Sequence, residues 1–244
     1  ARKVEAVHRE HPRVPAGLAD ALRHMAAELD ALAVPMKQVY GDAIQCERLR
    51  AEVFAGQRTP MVFGQPDAWL ALLLESLLQA GRGADAGLVD DLRQRAFDQA
   101  PAQPGQLDGK PFEWIADADM RLGPVLEAFI NGRYYWVPFA RLARVRIEQP
   151  EDLRDGVWLP AHLDFANGGE SLALIPARYP GTEAAAGPLQ LARRTEWQEP
   201  RPGVFTGLGQ RVLSTDQADY ALLDIRDLVL HPAADHAAAE QGDG

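Results

Sequence analysis

The residues best suited to chemistry lie in DADMRLGPVLEAFINGRYYWVPF, from Asp117 to Phe139. Asp117 and Asp119 are two apart, so an extended backbone puts both carboxylates on one side. There they could share a proton or provide two ligands to a metal ion. A metal needs further ligands, and no histidine stands near them in the chain. An acid–base hydrolase would draw on Asp117, Asp119 and His162. The competing reading is structural: one aspartate caps a helix opening around Arg121 to Pro124, and the other pairs with an arginine. Cap and ion-pair aspartates far outnumber catalytic ones, so the structural reading is preferred and no catalytic residue is assigned.

Other candidates are weaker still. The six histidines are scattered, without an HExxH or related spacing, so no zinc or other metal site is expected. Cys46 is the single cysteine, which excludes an internal disulfide; it falls on the apolar stripe of a helix and reads as a buried, inert thiol. Ser171 and Ser214 are not in a G-x-S-x-G elbow. The run TGLGQR, with Gly207 and Gly209, lacks the third glycine of a dinucleotide loop, since Val212 stands there. No cofactor is expected. Arginines set beside acids and tryptophans in EDLRDGVW, IPARYPG and RRTEWQE could build a binding surface, and equally could stitch irregular β structure together.

The elements that must position these residues change character along the chain. Leu18, Leu22, Met25, Leu29 and Leu32 form one helical stripe. Val39, Ala43, Cys46, Leu49 and Val53 form a second that Gly56 closes, and Trp69, Leu72, Leu73, Leu77 and Ala80 form a third that ends at Gly81. A fourth carries Leu88, Leu92 and Ala96. Amphipathic helices joined by short Gly/Pro turns predict stacked antiparallel pairs. The Pro/Gly-rich run from Ala100 to Pro111 ends this pattern, and alternation takes over. Strands are predicted at RVRIE, at GVWLPAHLDF and SLALIPARY around an Asn167–Gly169 hairpin, and at LQLARRTEW, QRVLST and YALLDIRDLVL. Pro138, Pro160 and Pro176 fit edges or bulges. In the strand of Tyr134, Tyr135 and Trp136 the first and last rings face one way and the middle one the other.

The fold class predicted is α+β: a helical, repeat-like part over 1–104, a β-rich part over 105–231, and a disordered tail over 232–244. The net charge of -10 over 244 residues opposes binding to nucleic acid or anionic membranes. No apolar run approaches a membrane span, and ARKVEAV has no apolar h-region, so a signal peptide is not expected and the chain reads as cytoplasmic.

The motifs PFEWIADADMRLGP, INGRYYWVPF, QPEDLRDGVWLPA, IPARYPG, ARRTEW and GLGQR, with CERLRAEVFAG ahead of them, occur in an order that resembles the ImpE/TagJ family. These are accessory proteins of bacterial type VI secretion systems, and the likeness runs from about residue 46 to 230. It implies a tetratricopeptide-like helical part followed by a compact β-rich part, and a protein that is not an enzyme. It also implies binding to a helix of the small contractile-sheath subunit, and a link to the ATPase that recycles contracted sheath. A groove for such a helix is expected around Tyr40, Trp69 and Leu73, with Tyr134 and Trp136 as a far wall. A general helical-repeat scaffold unrelated to secretion is a third reading.

Overall fold

A computed structural model describes residues 34–231. Helix α1 (Val34–Phe54) buries Ala43, Cys46, Arg50 and Val53, spaced so that they line one face. Helix α2 (Ala68–Gly81) buries Trp69, Leu70, Leu73, Ser76 and Leu77. Helix α3 (Ala86–Gln99) is capped by Asp85, whose carboxylate accepts from the Gly87 and Leu88 amides. The last turns of α1 and α2 cross at two glycines. A Cβ on Gly81 would lie 2.4 Å from the Ala55 carbonyl oxygen and 2.5 Å from the Gly56 Cα. Gly81→Ala is therefore expected to lower stability by about 1–3 kcal/mol through overpacking. Gly41, inside α1 with open space around it, should gain about 0.5–1 kcal/mol as alanine. Urea unfolding of the two variants against the parent tests both signs.

The strands follow in chain order as β1 (Met61–Val62), β2 (Gly105–Leu107), β3 (Lys110–Phe112), β4 (Ile115–Asp117), β5 (Val125–Ile130), β6 (Arg133–Pro138) and β7 (Leu142–Ile147). Beyond them come β8 (Trp158–Phe165), β9 (Glu170–Pro176), β10 (Thr195–Arg201), β11 (Val204–Gly209), β12 (Val212–Thr215), β13 (Asp219–Ala221) and β14 (Asp227–Leu230). Nine of them form one sheet in the order β1-β6-β5-β9-β8-β7-β14-β2-β3. Its pairs are antiparallel except β1 with β6. A ribbon, β10-β11, and a small sheet, β13-β12-β4, lie beside it. Two hairpins turn on a residue pair with both φ positive, Asp108–Gly109 and Asn131–Gly132, the backbone that a two-residue hairpin loop needs.

The expected tetratricopeptide-like helical half is overturned. The described residues hold three helices against a nine-stranded sheet, and no helical repeat is built from them. The physical reason is what the apolar stripes pack on. Ala43, Cys46 and Val53 of α1 and Trp69, Leu70 and Leu73 of α2 share one core with Phe129, Tyr134, Trp136 and Trp158 of the sheet. Helical periodicity shows that a face is apolar; it does not show whether a helix or a sheet will cover it. The stripe from Leu18 to Leu32 and the tail over 232–244 lie outside the described residues. The other sheet face has its own core, which includes Leu126, Val137, Leu159, Leu163 and Ile175. Strand β5 is thus buried on both faces along its whole length. Pro160 lies in a strand paired on both sides, not at an edge, but β7 has ended at Ile147 where its missing N–H would be needed.

Candidate functional site

Strand β5 reads VLEAFI, and the single acid in it cannot reach water. Glu127 is 0% exposed and faces the helical layer between Val125 and Phe129. Such a carboxylate survives only if charged or strongly polar donors surround it. Arg50, on the buried face of α1, supplies two: Nε at 2.7 Å from Oε1 and Nη2 at 3.0 Å from Oε2. Arg211 donates to Oε2 through Nη2, and the Tyr134 hydroxyl donates to Oε1. Trp136 Nε1–H donates in turn to the Tyr134 oxygen at 2.7 Å.

Arg211, just before β12, extends the network to the aspartates. Its Nη1 lies 2.7 Å from Asp117 Oδ2, and its Nε donates to the Pro176 carbonyl at 3.0 Å. Asp117 Oδ1 accepts from the Asp119 amide at 2.9 Å and lies 3.0 Å from the Tyr179 hydroxyl. Asp119 accepts from the Arg121 side chain and amide and, at 2.9 Å, from the Gly207 amide. The helix expected to open at Arg121 does not form. Leu122 and Gly123 amides close a turn on the Asp119 carbonyl, Gly123 takes φ 56, and β5 begins after Pro124. Gly207 of the TGLGQR run serves packing, since a Cβ there would sit 2.2 Å from the Tyr179 ring.

Inside the protein Arg50 and Arg211 both address Glu127, Arg211 also reaches Asp117, and Asp119 pairs with the less buried Arg121. Burial raises the Glu127 carboxyl, but Arg50 and Arg211 outweigh it and bring the group down to about 2. For Asp117 burial wins over Arg211 and the group rises to about 7. Burial also pushes the Cys46 thiol up to about 12, so it is inert at neutral pH. The Asp117 and Asp119 oxygens are already filled by donors, and both residues are buried. His162 hangs from the exposed side of β8, 3.9 Å from Glu148, away from this interior. Among the described residues no group of three or more His, Cys, Asp or Glu could hold a metal ion. What the network does is tie α1, β4, β5 and the entry to β12 together.

The structure separates the five residues singled out for partner contact. Trp69, Leu73, Tyr134 and Trp136 are in the core, at 4% exposure or less, while Tyr40 stays partly exposed. Tyr40 stacks on Trp158 with ring centroids 5.9 Å apart, and the Arg154 guanidinium lies 5.3 Å from its ring centre. Trp158 Nε1–H donates to Glu47 of α1, which fixes this stack on the helix. Close by, Gly156 lies against the backbone of Leu153 and Leu191, both with exposed side chains. Here the EDLRDGVW and IPARYPG motifs meet, because Ala177 N–H donates to the Val157 carbonyl. Trp158 and Arg211 lie in the EDLRDGVW and GLGQR motifs, whereas Glu127 and Arg50 have no assigned role in the sequence reading. The available signals were an acid inside a continuous apolar run and an arginine on an apolar helical stripe.

The fold is shared with a crystal structure of a Vibrio parahaemolyticus protein, at TM-score 0.71 and 18% identity over 94% of this chain and 92% of that one. This likeness defines the class: a large, mainly antiparallel sheet with helices packed on one face. The ImpE protein family's sequence profile matches residues 109–229. The type VI secretion system accessory component TagJ of Pseudomonas aeruginosa is 50% identical over 208 residues, covering 84% of this chain and 72% of that protein. The chain belongs to the ImpE/TagJ family of type VI secretion accessory proteins.

Proposed function

We propose that this chain is a non-catalytic adaptor that binds a helix of the small contractile-sheath subunit in the cytoplasm, and that this binding links the sheath to its recycling ATPase. The observation that carries the reading is the partly exposed Tyr40–Arg154 pair, backed by the buried Trp158 and held beside the exposed Leu153 and Leu191. Tyrosine and arginine on a rigid support are side chains that anchor protein interfaces, and here the buried Trp158 ring is the support. The absence of catalysis is supported by the aspartates, whose oxygens already receive protein donors. Of the five residues expected to line the groove, Tyr40 is the one carried into the interface. Trp69, Leu73, Tyr134 and Trp136 support it from the core.

Calorimetric titration with the purified small sheath subunit tests the reading. Tyr40→Ala is expected to weaken binding at least tenfold while the protein stays folded. Binding through aromatic and apolar groups should change little between low and high salt. No binding by the parent protein at either salt would remove the sheath from consideration.

A further inference from the structure

Arg178 differs from most arginines of the described residues, and shares with the half-buried Arg226 the lack of a carboxylate partner among them. Arg50, Arg121, Arg144 and Arg201 each direct a forked guanidinium at a carboxylate. Arg178 is half-buried and has no carboxylate within ion-pair distance among the described residues, in a chain with 35 acids. Its Nη1 donates to the Gln190 carbonyl at 2.7 Å, which leaves Nε and Nη2 without a protein acceptor among those residues. The nearby acids are already engaged. Glu47 accepts from Trp158 and Arg50, and Glu183 accepts from the Gly181 amide. Desolvation lowers the Arg178 pKa and neighbouring Arg50 lowers it further, with Glu47 and Glu183 opposing.

The position of this residue gives the unused fork a direction. Its own carbonyl accepts from Arg50 Nη2 at 2.7 Å, so its backbone is fixed to the buried network. The preceding residue pairs with Val157, next to Trp158, and the bond to Gln190 places the guanidinium beside the loop that exposes Leu191. A preorganised guanidinium with two free N–H groups suits a carboxylate, which it can hold bidentately. We infer that Arg178 is a carboxylate-receiving position of the Tyr40–Arg154 face that Trp158 supports from beneath, where it takes an Asp or Glu side chain that the partner helix carries beside its apolar anchor. This inference rests on the sheath-binding reading above and adds the chemistry that selects the ligand.

The test compares the parent protein with Arg178→Gln and Arg178→Lys, titrated calorimetrically with the small sheath subunit at low and high salt. Glutamine removes the charge and the fork, and the bond it gives up to the Gln190 carbonyl is an exposed one, so the melting temperature should hold while affinity falls at least tenfold. Lysine keeps the charge without the fork and should fall in between. Substituting the partner helix's acids one at a time by amides should reveal one whose loss adds nothing further to Arg178→Gln. Affinity within twofold of the parent in a folded Arg178→Gln protein overturns the inference and leaves the sheath reading standing. If the glutamine protein does not fold, parent-like binding by Arg178→Lys overturns it instead. A parent protein that does not bind the subunit at all defeats both, a result distinct from either of these.

Discussion

Glu127→Ala is expected to cost about 3–5 kcal/mol of stability, because it leaves Arg50 and Arg211 buried without the carboxylate that both address. Arg50→Met combined with Glu127→Leu should cost less than Glu127→Ala alone, since an apolar pair strands fewer buried charges. The pH dependence follows from the same geometry. The Glu127 pKa is about 2 in the folded protein against an ordinary 4.5, so below 4.5 the unfolded chain takes up a proton that the folded one refuses. The stability contributed by the pairing is complete above pH 4.5 and is lost as pH falls towards 2. Asp117 acts with the opposite sign: raised from 3.8 to about 7, it binds its proton more tightly when folded, and stability declines as pH climbs through that window. Melting curves from pH 2 to 8 should show the acid-side loss reduced in Glu127→Gln and the decline from pH 4 to 7 reduced in Asp117→Asn. A Glu127→Gln profile parallel to that of the parent would contradict the assignment.

Trp136→Ala should be similarly severe, at about 3–5 kcal/mol. The ring is fully buried, lies 6.0 Å from Phe54 of α1, and donates its indole N–H to Tyr134. Truncation opens a cavity between sheet and helix and leaves the Tyr134 oxygen without its donor. Leu172→Ala, at a site 66% exposed, should stay within about 0.5 kcal/mol of the parent. Denaturant midpoints of both variants, with near-ultraviolet dichroism reporting the aromatic environment, decide the matter. An intact Trp136→Ala midpoint would mean that the helices do not depend on this face.

The helices from Val34 onward and the facing of Tyr134, Tyr135 and Trp136 were legible because periodicity reports which side of an element is apolar. The partner of each face was not legible. The stripes of α1 and α2 suit a stacked repeat as well as a sheet, and the sheet that covers them is assembled by pairings distant in sequence, such as β14 with β2. The Asp108–Gly109 and Asn131–Gly132 pairs carry a hairpin signal in the chain itself. The buried network was harder to see, because Arg50, Glu127 and Arg211 become neighbours only once the sheet has formed. A carboxylate inside VLEAFI signals a buried partner without saying where along the chain that partner lies.

The two ends of the nine-stranded sheet bear on whether foreign strands can add to it. An open sheet offers unpaired amides and carbonyls to any passing strand. Here the outer rim of β6 is occupied at Tyr135 and Trp136 by the two-residue β1, and Phe63 N–H takes the Trp136 carbonyl at 3.2 Å. The opposite rim, β3, is three residues long and carries Lys110 and Pro111, a charge and a residue with no amide hydrogen to offer. Neither border is a template for continued growth, so the sheet does not recruit further strands through its own backbone.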